Sequence, residues 1–263
     1  MTRISFATII GIAIVASGCH KGDSNSQSVK SDVQQSIHET LVFIDKSSSV
    51  SFIDSSKQKL CNEVIEQQIL ELYSRNGDRL IVFYIHSDTR NAKPVLISKF
   101  DLSEDCSNLS KIKKTVCQNK YKTSVAKRRA SLSQSLVQEL TTRPNNASKN
   151  GTDIFGVLEV ASTYFDYDSS IRSIYIFSDM IQSTNERELN QNNLISKEVA
   201  IALAKKDKGE VDSRLTLSSK LTDSNVYIIA PDESSKPINF KSELKVYWKE
   251  FFNGYKMKMN SRW

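Results

Sequence analysis

The chain has few of the nitrogen and sulfur side chains from which many metal centres and catalytic sites are built. Its 263 residues include three histidines and four cysteines. The cysteine spacing fits no zinc-binding pattern. His86 follows a strand-like run and is interpreted as a loop histidine, and His20 and His38 precede the first strand, so no general base is evident. These absences disfavour a zinc module and a histidine-based catalyst.

Longer patterns are missing as well. No internal repeat is visible, and no hydrophobic run after the first 18 residues approaches the length of a membrane-spanning helix. No RNA- or DNA-reading motif accompanies the basic residues, so nucleic acid is disfavoured as a partner. The roughly 225 residues that follow the leader and a polar tract suit one folded domain.

The first residues have the composition of a secretory signal. Arg3 supplies a positive charge, and residues 6–16 form an apolar stretch that is too short for a stable membrane span. The stretch ends in Ala16-Ser17-Gly18-Cys19, which resembles a bacterial lipobox with Ala in place of a larger aliphatic residue. We expect residues 1–18 to be removed and Cys19 to be acylated. Cleavage by an ordinary signal peptidase is the alternative.

Acylation of Cys19 predicts a protein of the bacterial cell envelope that is held on a membrane by its lipid. His20 rather than Asp follows the cysteine, which resembles lipoproteins on the periplasmic side of the outer membrane if the cell is Gram-negative. Residues 19–37 are rich in Ser, Asp, Gln and Lys and predict a flexible tether. The folded domain is then expected at residues 38–255, with a C-terminal tail at residues 256–263.

The net charge of +6 is unevenly distributed. Between Lys111 and Arg129 the chain has eight basic residues and no acidic one, within an expected helical insertion at residues 101–150. This run is interpreted as a solvated helix face or as a docking patch for an acidic protein, an anionic polymer or lipid head groups. The candidate patch residues are Lys111, Lys113, Lys114, Lys127, Arg128 and Arg129.

With Cys19 assigned to the lipid, three cysteines remain in a compartment where disulfides persist. If residues 107–120 form one continuous helix, Cys106 and Cys117 stand about 16 Å apart, which is too far to bridge. We therefore expect Cys61 to pair with Cys106 or Cys117. Because Cys61 lies on an apolar helical stripe, a buried thiol is the alternative.

Hydrophobic runs and helical stripes alternate along the chain. Strands are predicted at residues 40–45, 79–86, 94–100, 173–177 and 225–230, and helices at residues 53–74, 107–142, 154–165, 195–206 and 240–253. The strands lack period-two alternation, which indicates a sheet that is buried on both faces. The pattern predicts an α/β fold with a doubly wound, mostly parallel sheet flanked by helices, in which one edge strand is antiparallel.

Three short segments bring oxygen-bearing side chains to the ends of these elements. Asp45-Lys46-Ser47-Ser48-Ser49 and Ser178-Asp179-Met180 each follow a strand-like run, and Gly151-Thr152-Asp153 precedes a helical pattern. Ligand sites in open α/β sheets form outside the carboxyl ends of the strands. Two carboxylates and three hydroxyls suit a hard divalent cation such as Mg²⁺. Taken alone, Thr152 is also a candidate helix N-cap.

Together the segments resemble the von Willebrand factor A-type domain and its metal-ion-dependent adhesion site, whose pattern is Asp-x-Ser-x-Ser, then Thr, then Asp. The resemblance covers residues 38–255. Two departures are Met180, where the family often has glycine, and the long gap between the first two segments. The metal ligands that the resemblance implies are Asp45, Ser47, Ser49, Thr152 and Asp179, the last acting through a water.

The resemblance implies a binding module rather than an enzyme. A bound Mg²⁺, or Mn²⁺ or Ca²⁺ in its place, would keep an open position that a carboxylate of a protein partner fills. The alternatives are a scaffold of this fold with no functional metal and, less favoured, a metal-dependent hydrolase. A strand that ends in Asp also resembles the start of aspartyl phosphotransferases, but those need a second Asp where Ser47 stands.

Overall fold

The computed structural model describes residues 36–47, 50, 52, 55–102, 106–142, 151–166, 170–215, 218–230 and 237–262. The chain divides into two units, Met1–Gln35, which lies outside the described residues, and Ser36–Trp263. The predicted signal peptide, Cys19 and most of the predicted tether belong to the first unit and lie outside the described residues. Ser49, a predicted metal ligand, lies outside them as well. No helix in the described part of the chain is long and apolar enough to cross a membrane.

A six-stranded sheet forms the centre of the second unit, in the order β3-β2-β1-β4-β5-β6. Neighbouring strands are parallel except for β2 and β3, which are antiparallel. The predicted fold class, including the antiparallel edge strand, is therefore confirmed. The strands are β1 (His38–Asp45), β2 (Arg79–Ile85), β3 (Leu96–Lys99), β4 (Ile171–Phe177), β5 (Asn225–Ile229) and β6 (Lys258–Arg262).

Helices flank the sheet on both faces. The first helical region is interrupted, because the π-helical turn Ile65–Ile69 separates α1 from a short α2. The helices are α1 (Ser55–Val64), α2 (Leu70–Leu72), α3 (Lys111–Thr141), α4 (Phe155–Tyr164), α5 (Lys197–Asp212) and α6 (Ile238–Asn253).

Two hydrophobic clusters, one on each face of the sheet, form the core. Along β1, Leu41 and Phe43 belong to the first cluster, whereas Val42 and Ile44 belong to the second. Successive residues of a strand point to opposite faces, so a strand that is buried on both faces is apolar at every position. Helices α4, α5 and α6 contribute to the first cluster, and α1 and α3 contribute to the second.

The segment expected to be a C-terminal tail, residues 256–263, contains the sixth strand. β6 pairs in parallel with β5, with Asn225 opposite Lys258 and Ile229 opposite Arg262. The expectation of a tail is therefore wrong. The sequence of β6, Lys-Met-Asn-Ser-Arg, has a single apolar residue. An edge strand is joined to the sheet by backbone hydrogen bonds and buries little side-chain surface, so hydrophobicity did not reveal it.

Helix α3 is much longer than the strands that it covers. Its 31 residues span about 45 Å, whereas a strand of seven residues spans about 23 Å. Its buried residues, Leu132, Leu136 and Leu140, lie in the last third of the helix. The first half of α3 therefore extends beyond the core, and most of its residues are exposed.

The expected pairing of Cys61 with Cys106 or Cys117 is wrong. A disulfide joins Cys106 to Cys117, with their Cα atoms 6.0 Å apart, and Cys61 is a buried free thiol. The distance argument assumed a helix from residue 107, but α3 begins at Lys111. The non-helical turn before Lys111 allows Cys106 to fold back against the second turn of the helix.

We expect peptide mapping of the oxidised protein to find Cys106 joined to Cys117 and Cys61 as a free thiol. Burial raises the pKa of the Cys61 thiol to about 12, so iodoacetamide should label it slowly in the native protein and rapidly after unfolding. A disulfide that contains Cys61, or rapid labelling of Cys61 in the native protein, would contradict this assignment.

Candidate functional site

The carboxyl end of β1 places a buried carboxylate at the rim of the sheet. Asp45 is the last residue of β1 and is 1% exposed. Its Oδ1 accepts a hydrogen bond from the backbone N–H of Ser47 at 2.8 Å, and its Oδ2 accepts one from Ser178 Oγ at 2.7 Å. Among the residues that the structure describes, no basic side chain forms an ion pair with Asp45. The carboxylate is therefore held by neutral donors.

A second carboxylate, that of Asp179, lies near the first. It follows β4 and is 6% exposed, and its Oδ1 accepts a hydrogen bond from the backbone N–H of Ile181 at 3.1 Å. Burial, with a smaller contribution from the charge of Asp179, raises the pKa of Asp45 to about 6 against the opposing effect of the Ser178 and Ser47 hydrogen bonds. A cation between the two carboxylates would favour their ionised forms.

Thr152 lies at the same rim. Hydrogen bonds join Thr152 and the residue after it to the segments that follow β4 and β2. Its backbone N–H donates to the Ser183 carbonyl at 2.7 Å, and its carbonyl accepts from the Ser183 N–H at 2.9 Å. The next residue, Asp153, donates its backbone N–H to the carbonyl of His86 at 2.9 Å, just after β2. Because β1 lies between β2 and β4, the segment crosses the rim beside the end of β1, where Asp45 lies.

The start of α4 is stabilised by Asp153 and not by Thr152. The backbone N–H of Gly156 donates to Asp153 Oδ1 at 3.1 Å, and the N–H of Phe155 donates to Gln182 Oε1 at 3.2 Å. These N–H groups belong to the first turn, which has no internal partners. Thr152 therefore does not serve as the N-cap, and the alternative explanation of this threonine is wrong.

Met180 has a φ of 62°, which is the left-handed conformation that favours glycine. This accounts for the frequent glycine at this position in the family that the sequence resembles. Here the backbone N–H of Met180 donates to Ser178 Oγ at 2.9 Å, and its carbonyl accepts from Trp248 Nε1 at 2.8 Å. The Met180 side chain is fully buried. Packing and two hydrogen bonds thus maintain a conformation that methionine adopts with strain.

Lys46 joins the segment after β1 to the carboxyl end of α3. Its Nζ donates to the carbonyls of Glu139, Leu140 and Thr142, at 3.2 Å for Leu140 and 2.6 Å for Thr142. The last carbonyls of a helix have no internal partners and carry partial negative charge, so an ammonium group there is stabilising. The end of the insertion is therefore anchored one residue away from Asp45.

Four of the five predicted metal ligands are described, and all four lie at one rim of the sheet. The backbone N–H of Ser47 donates to Asp45, and the charge of Asp179 lies close enough to affect Asp45. Thr152 is hydrogen-bonded to Ser183, in the segment after Asp179. Oxygen donors of this kind fit a hard divalent cation, and three of the four, Asp45, Thr152 and Asp179, are buried. In the described ranges, no group of three or more His, Cys, Asp or Glu side chains could hold a metal ion, so a site here depends on hydroxyl ligands.

Sequence reasoning missed the roles of Ser178, Asp153 and Lys46. Each stands in one of the three segments that were singled out. Asp153 acts locally, on the N–H of Gly156, whereas Ser178 and Lys46 act through hydrogen bonds to residues that are distant in the chain. Ser178 and Asp45 are separated by 133 positions, and Lys46 and Leu140 by 94. The one sequence signal for these three residues was that each is adjacent in the chain to a predicted metal ligand.

The predicted basic patch divides into two groups. The Nε of Arg129 donates to the Tyr73 carbonyl at 3.0 Å and its Nη2 donates to the Glu71 carbonyl at 2.9 Å, so Arg129 stabilises the end of α2. Arg128 is also directed to the domain, with Nη2 at 3.4 Å from Ser98 Oγ. The lysines of α3 are exposed, namely Lys111, Lys113, Lys114, Lys120, Lys122 and Lys127.

The strand order, with one antiparallel edge strand in a mostly parallel sheet flanked by helices, is that of a von Willebrand factor A-like fold. No family model matches the sequence, and no curated protein matches it.

The chain is similar to several solved structures. An aerotolerance-related membrane protein from Bacteroides fragilis is 13% identical, with a TM-score of 0.39 and with 85% of this chain and 90% of that chain covered. BatB from Bacteroides thetaiotaomicron is 15% identical, with a TM-score of 0.40 and coverage of 86% and 90%. A von Willebrand factor type A protein from Catenulispora acidiphila is 12% identical, with a TM-score of 0.34 and coverage of 87% and 39%. Likeness at these identities concerns the fold alone.

We expect Gly151→Ala to lower the free energy of unfolding by at least about 2 kcal/mol. Gly151 has a φ of +114°, and an added Cβ would lie 1.9 Å from the Ser183 carbonyl oxygen. The control is Gly209→Ala in α5, where a Cβ meets nothing within 4 Å and a gain of about 0.5–1 kcal/mol is expected. Equal stability of the two variants in urea unfolding would contradict the prediction.

We expect Lys46→Met to lower the free energy of unfolding by about 2 kcal/mol, because the aliphatic stem is kept while the hydrogen bonds to the end of α3 are lost. Lys122→Met, at an exposed position of the same helix, should change it by less than about 0.5 kcal/mol. Urea unfolding measures both. If the two variants are equally stable, Lys46 does not anchor α3.

Proposed function

We propose that this domain is a binding module that holds a divalent cation at the carboxyl rim of its sheet and engages a protein partner through that cation. The supporting observation is that Asp45 is buried beside Asp179. Among the described residues, no basic side chain forms an ion pair with Asp45. A buried carboxylate that lacks such a partner is costly, and a cation is the group that would offset the cost.

The residues that would hold the ion are Asp45 and Asp179, with the hydroxyls of Ser47, Ser49 and Thr152. Mg²⁺ is the first candidate, and Mn²⁺ or Ca²⁺ are the alternatives, because all three prefer oxygen ligands. With three neutral hydroxyls and two carboxylates, the ion would keep an attraction for a further anionic ligand. A carboxylate of the partner protein has the required charge and geometry.

We also propose that the protein is not an enzyme. His86 directly follows β2, at the same rim. Its Nδ1 accepts a hydrogen bond from the backbone N–H of Asp88, in its own turn, at 3.1 Å. We place the module on the bacterial cell envelope, attached through an acylated Cys19 and not associated with nucleic acid.

A scaffold without a functional metal is the second candidate, and a specific observation favours it. Both oxygens of Asp45 already accept hydrogen bonds, one from the Ser47 N–H and one from Ser178 Oγ. The carboxylate can therefore be held in place by the protein itself.

We expect Mg²⁺ or Mn²⁺ to raise the free energy of unfolding of the purified protein, by about 2.7 kcal/mol at a metal concentration 100 times Kd. Asp45→Asn should abolish this gain. Because the substitution removes a buried charge and keeps its shape, the metal-free variant should be at least as stable as the wild type. Isothermal titration calorimetry and thermal unfolding, each with and without EDTA, measure the two effects.

The matched control is Asp88→Asn, which removes an exposed carboxylate that follows β2 at the same rim. It should leave metal binding unchanged. Absence of any response to the metals in the wild type would favour the scaffold. A response that persists in Asp45→Asn would place the metal elsewhere.

A further inference from the structure

The amino-terminal part of α3 exposes aliphatic side chains that the core does not use. Leu109 is 39% exposed, Ile112 is 79% exposed and Val116 is 49% exposed. Ile112 and Val116 are four residues apart and therefore adjacent on one face of the helix. The Cys106–Cys117 disulfide holds the turn that contains Leu109 against the same part of the helix. We call Leu109 and the first 17 residues of α3 the α3 tip.

The aliphatic side chains of the α3 tip are surrounded by positive charge. Lys113, Lys120 and Lys127 follow at intervals of seven residues, which places them on one face of the helix, and all are exposed. The first acidic residue of α3 is Glu139 near its opposite end. Charge complementarity therefore requires an anionic partner for this surface.

The α3 tip projects from the amino rim of the sheet. The hydroxyl of Tyr121 donates to the Ser74 carbonyl at 3.1 Å. Ser74 belongs to the turn before β2, where its N–H donates to Asp78 Oδ2 at 2.8 Å. The ten residues of α3 that precede Tyr121 extend about 15 Å further, away from the sheet.

The chain enters the folded unit at the same rim. The backbone N–H of His38, the first residue of β1, donates to Asp78 Oδ1 at 2.9 Å. Ile37 packs against the same turn, since a Cβ on Gly77 would lie 3.2 Å from its Cδ1. One turn, residues 74–78, thus contacts both the start of the domain and the base of the α3 tip. The candidate metal site lies at the opposite rim, near the carboxyl end of α3.

We propose that the α3 tip binds the anionic lipid surface of the membrane on which the protein is anchored. Aliphatic side chains among lysines suit the boundary between the head groups and acyl chains of an anionic bilayer, and the chain that leads to the predicted lipid anchor enters the domain at the same rim. The proposal rests on the lipid attachment given above but not on the metal.

In this arrangement the domain is held at two points, the acylated Cys19 and the α3 tip. The amino rim of the sheet faces the lipid, and the carboxyl rim with Asp45 faces away from it. The candidate cation site is then presented to partners beyond the membrane surface.

The test uses the full-length protein reconstituted into lipid nanodiscs, with photoreactive p-benzoylphenylalanine in place of Ile112. The matched control has the same probe in place of Ile238, which is 85% exposed and next to Pro237, a residue that lines a groove with Ile181 and Ser183 at the carboxyl rim. After illumination, lipid adducts are quantified by mass spectrometry in neutral phosphatidylcholine discs and in discs that also contain phosphatidylglycerol.

We expect lipid adducts from the probe at position 112 in the anionic discs, at least fivefold fewer in neutral discs or in 1 M salt, and few from the probe at position 238. Lys113→Glu with Lys120→Glu should lower the adduct at position 112 about fivefold or more. Lys245→Glu with Lys249→Glu, which changes the net charge equally on exposed positions of α6, should leave it unchanged.

Equal adducts in neutral and anionic discs, or equal adducts from positions 112 and 238, would overturn the proposal. So would adducts to protein in place of lipid when native membranes replace the discs, an outcome that would assign the tip to an acidic protein. Asp45→Asn should not change the adduct at position 112, which separates this result from a failure of the metal proposal. The mass of the Cys19 peptide from the same sample reports separately whether the cysteine is acylated.

Discussion

The burial of one carboxylate at the end of the central strand constrains the carboxyl rim of this domain. Asp45 has little contact with water, so its oxygens need hydrogen-bond donors within the protein. Ser178 supplies one of them from the end of β4, and the same hydroxyl accepts the N–H of Met180. The left-handed conformation of Met180 turns the chain toward Ser183, which pairs with Thr152. The segments of the candidate site are in this way arranged around Asp45.

Helix α3 connects that rim to the opposite end of the molecule. Lys46 binds the carboxyl end of the helix next to Asp45, and Tyr121 contacts the turn before β2 at the other rim. The core holds α3 through three leucines in its last third, which leaves the tip exposed. The insertion therefore has two parts with different surroundings. One end is bound by Lys46 next to Asp45, and the other exposes lysines and aliphatic side chains.

Sequence reasoning was most successful for the elements that are buried on both sides. β1, β2 and β4 are nearly continuous apolar runs, because each lies between two other strands and between two layers of helices. The antiparallel edge strand was also predicted correctly. β6 was missed because its residues are polar and its place in the sheet is decided by backbone pairing with β5. The disulfide was assigned wrongly because a start of α3 four residues too early moved Cys106 away from Cys117 in the distance estimate.

By itself, the sequence determined the class of fold and the kind of side-chain atom at its carboxyl rim. Period and hydrophobicity are local properties, and Asp, Ser and Thr carry oxygen atoms wherever they are placed. The tertiary structure alone decided that Asp45 is buried and accepts a hydrogen bond from Ser178. It also decided that Lys46 binds the end of α3 and that Ile37 and the α3 tip lie at the same rim of the sheet. Each of these depends on contacts between residues that are distant in the chain, and no local pattern encodes such a contact.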